Sequence, residues 1–222
     1  MRSINSWHQL TDTFKEFFIE RSLIKSITVK DKLLTNIKTR VWILNKPVGY
    51  VSSNKEQFSQ KSLFRLVPKD IPRVVSVGRL DIKSEGLLLL TTNPKLSSYL
   101  EDPSNKIERR YIVKVSGKIP KNLDKLVNGQ FLVDGILYNG IKIKLSNSGE
   151  KNMMEVKLTE GKNREIRKVL NYFNLKVQKL KRISFGPFEL NDIRVGNFVE
   201  IEMKILKKLL NSIGLNDENN FR

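Results

Sequence analysis

Two hydrophobic periods divide the chain. Near its start Leu10, Phe14, Phe17 and Phe18 recur at i, i+4, i+7 and i+8, the spacing of one apolar helical face. A short alternating segment follows, Ser26-Ile27-Thr28-Val29-Lys30, and then the turn-like Asp31-Lys32. From Val41 onward strand patterns dominate. Val41 to Leu44 and Val74 to Val77 are short apolar runs of the kind that become buried strands, and Leu87 to Thr92 is a third. The third run stops at Asn93-Pro94, which predicts a helix start: Asn as N-cap, Pro at the first helical position where its missing N–H costs nothing. Ile112 to Gly117, Ile141 to Leu145 and Met154 to Leu158 alternate as half-buried strands do. A last helix carries Met203, Leu206, Leu209, Leu210 and Ile213 on one face, and the polar tail after Gly214 is expected to fray. Strands outnumber helices, so the expected class is α+β on a mainly antiparallel mixed sheet flanked by helices. The expected organisation is an appendage over residues 1–40, a main domain over 41–214 and a flexible tail over 215–222.

Composition narrows the function classes. Lys and Arg number 41 against 23 Asp and Glu, a formal charge of +18 and a pI near 10.0. Such a chain repels itself unless it works against a polyanion, with nucleic acid ahead of an anionic membrane surface. A lysine-inflated composition would give the same excess without a partner. The 39% of hydrophobic residues can build a core, so wholesale disorder is not expected. Cysteine is absent and His8 is the only histidine, which leaves no thiol nucleophile, disulfide or Cys/His zinc site, and no support for a Ser-His-Asp triad. Catalysis, if any, falls to carboxylates, Tyr, Lys and Arg. Asp12, Glu16 and Glu20 interrupt the N-terminus, so no signal peptide is expected there, and no apolar run approaches a membrane span. A soluble, cytoplasmic protein is expected.

Three segments carry candidate chemistry. In Ser76 to Thr91 a polar loop between Gly78 and Gly86 hangs between two apolar runs, and Arg79 and Asp81 lie two residues apart within it. If the loop is extended, both side chains leave on one side and can pair, keeping the carboxylate ionised as a nucleophile requires. An ordinary structural Arg–Asp pair has the same spacing. Glu108-Arg109-Arg110-Tyr111 opens the next strand and places Tyr111 near its end, where an exposed ring could stack on a base; a Tyr on a strand is more often core. In Leu158 to Leu170, Gly161 turns the chain and Asn163 is expected to cap a helix. Ile166, Val169, Leu170 and Phe173 form its buried stripe, and Arg164, Arg167, Lys168 and Asn171 fall on another face. That row at a helix N-terminus is an anion site, or a merely solvated basic face.

In combination these segments resemble the RsuA-type pseudouridine synthases. Gly78-Arg79-Leu80-Asp81 followed by Ser84-Glu85-Gly86-Leu87 looks like the family signature. Asn45-Lys46-Pro47-Val48-Gly49 stands upstream, Glu108-Arg109-Arg110-Tyr111 after it, and then Glu160 to Arg167. The Asn-Arg-Glu-Ile-Arg wording is nearer the RluB branch, which modifies large-subunit RNA. The resemblance spans roughly Val41 to Lys208. It implies the pseudouridine synthase catalytic fold and isomerisation of one uridine of ribosomal RNA, 23S being favoured. Asp81 is the implied catalytic aspartate, Tyr111 the ring that stacks on the target base and Arg167 the basic partner of Asp81. Lys46 and Arg79 match positions near the cleft. Arg109, Arg110, Lys162, Arg164 and Lys168 complete the expected RNA-binding set. The resemblance implies no metal and no cofactor, and a monomer whose partner is ribosomal RNA, in mature form or in an assembly intermediate.

At its start the chain departs from that family. Most members open with a small S4 RNA-binding domain. Here Ser26 to Lys32 resembles only the last strand of one, so an incomplete S4-like appendage is expected. Two other classes stay open on sequence grounds: a non-catalytic RNA-binding or ribosome-assembly protein of the same fold, and a membrane-surface protein using basic amphipathic segments.

Overall fold

The computed structural model describes residues 27–29, 32–34, 38–53, 60–146 and 152–214. The chain divides into two compact units, Met1–Ile37 and Lys38–Arg222. In the first, β1 (Ile27–Val29) and β2 (Lys32–Leu34) form an antiparallel hairpin with Val29 opposite Lys32. The helix expected around Leu10 to Phe18, and the tail beyond Gly214, lie outside the described residues.

The second unit begins with β3 (Val41–Lys46), β4 (Tyr50–Val51), β5 (Lys61–Ser62), β6 (Val75–Val77) and β7 (Glu85–Thr91). Helix α1 (Pro94–Glu101) follows, then β8 (Arg109–Ser116), the short α2 (Leu123–Leu126), β9 (Phe131–Val133), β10 (Ile136–Tyr138), β11 (Lys142–Leu145) and β12 (Met153–Leu158). The unit closes with α3 (Glu165–Tyr172), β13 (Lys176–Phe185), β14 (Phe188–Glu189), β15 (Phe198–Glu200) and α4 (Met203–Asn211). A nine-stranded sheet runs β11-β12-β8-β13-β7-β3-β15, with β14 beside β13 and β6 beside β7. Its pairs are antiparallel except β13 with β7. The α+β class with a mainly antiparallel mixed sheet therefore holds.

The unbroken apolar run of β7 is explained by cover on both faces. Leu88 and Leu90 enter one core with Trp42, Leu44, Tyr111, Val113 and the α3 residues Ile166, Val169 and Leu170. Leu87 and Leu89 enter a second core with Val41, Ile43, Leu96, Leu100, Leu206 and Leu210, beneath α1 and α4. Each such leucine is fully buried, stabilising the fold by roughly 1.5–3 kcal/mol. In β8 the burial alternates, Arg109, Tyr111, Val113 and Val115 facing inward. Asn93 caps α1 as its sequence predicts, accepting from the amides of Lys95 and Leu96.

Candidate active site

The segment 78–84 between β6 and β7 is held on several sides. Ser52 Oγ donates to Leu80 O and accepts from Leu80 N, both at 3.1 Å, and the Gly49 amide donates to Ile82 O at 2.8 Å. From beneath, the fully buried Lys46 donates its ammonium to Pro47 O at 2.9 Å and Ser84 O at 2.8 Å. From the α3 side, Arg167 Nη2 donates to Lys83 O at 2.8 Å and Ser84 Oγ at 3.3 Å. Gly86, at φ 105°, ends the loop, and a Cβ there would come within 2.2 Å of Arg182 O. The loop is presented by a rigid scaffold, as precise placement of a reacting group requires.

Asp81 projects from this loop with its side chain one-third exposed. Its Oδ2 lies 3.7 Å from Arg164 Nη1 and 3.9 Å from Arg167 Nε. Two guanidinium groups thus face one carboxylate oxygen. The Arg79 pairing expected from spacing is corrected: among the described residues Asp81's ion partners are Arg164 and Arg167. The chain turns just after Asp81, the Ser84 amide donating to Asp81 O at 2.9 Å, and Arg79 is exposed. The helix cap is corrected too. The N-cap of α3 is Arg164, in the left-handed region at φ 52° with no side-chain cap bond, not Asn163. The carboxylate of Glu165 accepts the Lys162 amide at 2.8 Å instead, which leaves Arg164 free to turn toward Asp81. Burial, then the neighbouring Arg164, pull the Arg167 pKa down, and Asp81 opposes them.

Around Asp81 opens a cleft of about 570 Å³, within the range of small-molecule and nucleotide pockets. Its wall includes Tyr111, Leu158, Ile166, Leu180 and Arg167. Tyr111 is not the exposed ring anticipated at a strand end. It is the third residue of β8 and only 8% exposed, on the inward face, so the ring forms part of the cleft lining. Arg79, Lys162 and Arg164 are exposed and line the same cleft. Lys162 Nζ pairs with Glu160 at 2.8 Å and donates to Leu137 O at 2.6 Å.

Four residues of the expected RNA-binding set are less open than these cleft cations. Lys46 is buried below the loop. Arg109 lines the cleft but is 6% exposed, its guanidinium donating to carbonyl oxygens of Leu100, Thr159 and Glu160 and lying 4.6 Å from the Phe185 ring centre. Strand alternation turns Arg110 to the opposite face, where it pairs with Glu189 at 2.5 Å and Glu155 at 3.7 Å. Lys168 is half-buried one turn along α3 and does not line the cleft.

Ser52, Glu165 and Arg182 also line the cleft, with no role expected of them from sequence. Glu165 and Arg182 are each 3% exposed, and burial raises the Glu165 pKa. A signal existed for Arg182: it is a cation at an inward position of an alternating strand. Among the described residues no group of three or more His, Cys, Asp or Glu could hold a metal ion.

Comparison with known proteins identifies the family and the fold. The family model described as RNA pseudouridylate synthase matches residues 40–172. An uncharacterized RNA pseudouridine synthase of Rickettsia typhi is 43% identical over 188 residues, covering 84% of this chain and 77% of the relative. Ribosomal large subunit pseudouridine synthase B of Buchnera aphidicola is 36% identical over 214 residues, covering 90% and 81%. A crystal structure of a pseudouridylate synthase superposes with a TM-score of 0.70 at 23% identity, covering 83% of this chain and 80% of that one, a likeness of fold.

Proposed function

Since the chain belongs to the RNA pseudouridylate synthase family, as a member of its RsuA/RluB type, and is thus an isomerase, we propose that it converts one uridine of large-subunit ribosomal RNA to pseudouridine with Asp81 as the catalytic carboxylate. The observation that carries this reading is the one-third-exposed Asp81, held by two arginines in a cleft that also contains Tyr111.

The target atoms are hidden in folded RNA, so the nucleotide is extruded at a cost of a few kcal/mol, partly offset by stacking on Tyr111, about 1–3 kcal/mol per base. Asp81 acts at the ribose while the C1′–N1 bond breaks. The base turns, C1′–C5 forms, the C5 proton leaves and N1 gains one. Arg167 pairs with Asp81 and orients it through its bonds to the loop. The exposed Arg79, Lys162 and Arg164 hold flanking phosphates, with the Arg110 and Lys168 surfaces outside the cleft as secondary contacts. Residues 1–40, S4-like, tune affinity for RNA and leave the chemistry to the main unit.

In this reading the protein works in the cytoplasm as a monomer during ribosome biogenesis, without a cofactor. Among the described residues no helix is long and apolar enough to cross a membrane. Pseudouridine mapping of ribosomal RNA from cells lacking this gene tests the reading: one large-subunit position should lose the modification and regain it on complementation. An unchanged map would overturn it.

A further inference from the structure

Three buried cations lie beneath and beside the cleft: Lys46, Arg109 and Arg182, 0%, 6% and 3% exposed. Lys46 and Arg109 are each occupied by two or more carbonyl oxygens. Arg182 is not. Its Nε donates to Leu87 O at 2.7 Å and its guanidinium lies 5.0 Å from the Phe185 ring centre, but Nη2 is buried with no hydrogen-bond partner. Among the described residues Arg182 has no ion pair. A buried cation without a counter-ion costs several kcal/mol, so its retention calls for a group that completes it.

The sheet fixes where that group comes from. Arg182 on β13 pairs directly with Tyr111 on β8, so both side chains leave the sheet on one face, and both line the cleft. On its other side Arg182 pairs with Gly86 at the end of the Asp81 loop, where no side chain can screen it. Its charge also helps to lower the proton affinity of Lys46 and Arg109, with burial as the larger cause.

We infer that Arg182 is a further catalytic residue, a buried hydrogen-bond donor to the uracil oxygens as the base departs. This rests on the proposal that the Asp81 cleft is the active site. When C1′–N1 breaks, the electron pair stays with the base and spreads from N1 onto O2 and O4, while C1′ becomes electron-poor opposite Asp81. The guanidinium of Arg182, beside the ring of Tyr111, is placed to stabilise that transient negative charge. The charge is discharged when C5 bonds to C1′, the C5 proton leaves and N1 is protonated. Donors fixed in a desolvated site do this without reorganisation.

The test uses full-length Arg182→Met, Arg182→Lys and Asp81→Asn, with the saturated single-turnover rate, RNA Kd and unfolding temperature measured for each. Arg182→Met should lower the saturated rate about a hundredfold. RNA Kd should stay within about twofold and the unfolding temperature should hold or rise, since an uncompensated buried charge has gone. Added guanidinium ion should restore part of the rate, which a purely structural role would not allow. Arg182→Lys should fall between, keeping the charge but losing the planar fork. A wild-type saturated rate in Arg182→Met overturns the inference, as does a rate loss matched by lost stability and unmoved by guanidinium. If Arg182→Met does not fold, a rate within about twofold of wild type in Arg182→Lys overturns it. An active Asp81→Asn would instead remove the reading of the cleft itself.

Discussion

Lys46 offers a test of how the Asp81 loop is supported, because its burial has a measurable pH signature. The side chain is fully buried and its ammonium bridges Pro47 O and Ser84 O. Burial holds its pKa down, from 10.5 to about 8, although the charge of Asp81 pulls the other way. Between those two values the unfolded chain keeps a proton that the folded chain has released. Stability therefore rises with pH across that window, is fully gained above the unfolded value, and has no slope from this group below about 8. The full gain is about 3 kcal/mol. Lys46→Met keeps the aliphatic stem and removes the titration. Urea unfolding of both proteins at intervals from pH 7 to 10 gives the contribution by difference, with the other lysines and tyrosines cancelling. The wild type should gain on the variant by most of that amount. Parallel stability curves would refute the desolvated ammonium, and with it the support beneath the loop.

Two further substitutions address the cleft and its frame. Tyr111→Phe keeps the stacking face and Tyr111→Ala removes it. Single-turnover assays should show the first near wild type and the second strongly impaired if the ring only stacks; a slow Phe variant with normal RNA affinity would assign the hydroxyl to the C5 proton, and equal losses of unfolding temperature and rate in both would make the ring merely core. Gly86→Ala places a Cβ 2.2 Å from Arg182 O at φ 105°, so equilibrium unfolding should show a loss of about 2–6 kcal/mol, and an unchanged midpoint would contradict the close β7–β13 approach.

Much of this fold could be read because its strands follow simple rules. The run Leu87 to Leu90 stands out since both of its faces are covered, and Tyr111, Val113 and Val115 alternate since only one face of β8 is. Asn93-Pro94 marked the start of α1 because the cap uses a local hydrogen bond. The hairpin of β9 and β10 has its local signal in Asp134-Gly135, both at positive φ, between strands too short to show a period. The site was less legible. Arg79 lies only two residues from Asp81, yet the carboxylate meets arginines more than 80 residues away. Nothing local distinguishes a phosphate-binding arginine from Arg109, whose bonds are set by strands remote in sequence. Arg182 lies outside the family motifs, and its meaning appears only when β13 lies between Tyr111 and Gly86.

The most direct test of the central claim is the turnover of Asp81→Asn on deproteinised ribosomal RNA, read as pseudouridine at the target position. Asn is nearly isosteric, and the contacts holding the loop come from Ser52, Gly49, Lys46 and Arg167 to its backbone and to Ser84, so the fold should persist. An amide supplies neither the carboxylate nucleophile nor a negative charge for an electron-poor C1′. RNA affinity should hold or rise slightly with one repulsive charge removed. A folded, RNA-binding protein that makes no pseudouridine is the predicted result. Multiple turnover at even about a tenth of the wild-type rate, a barrier change of only ~1.4 kcal/mol, would contradict the assignment of Asp81 as catalyst.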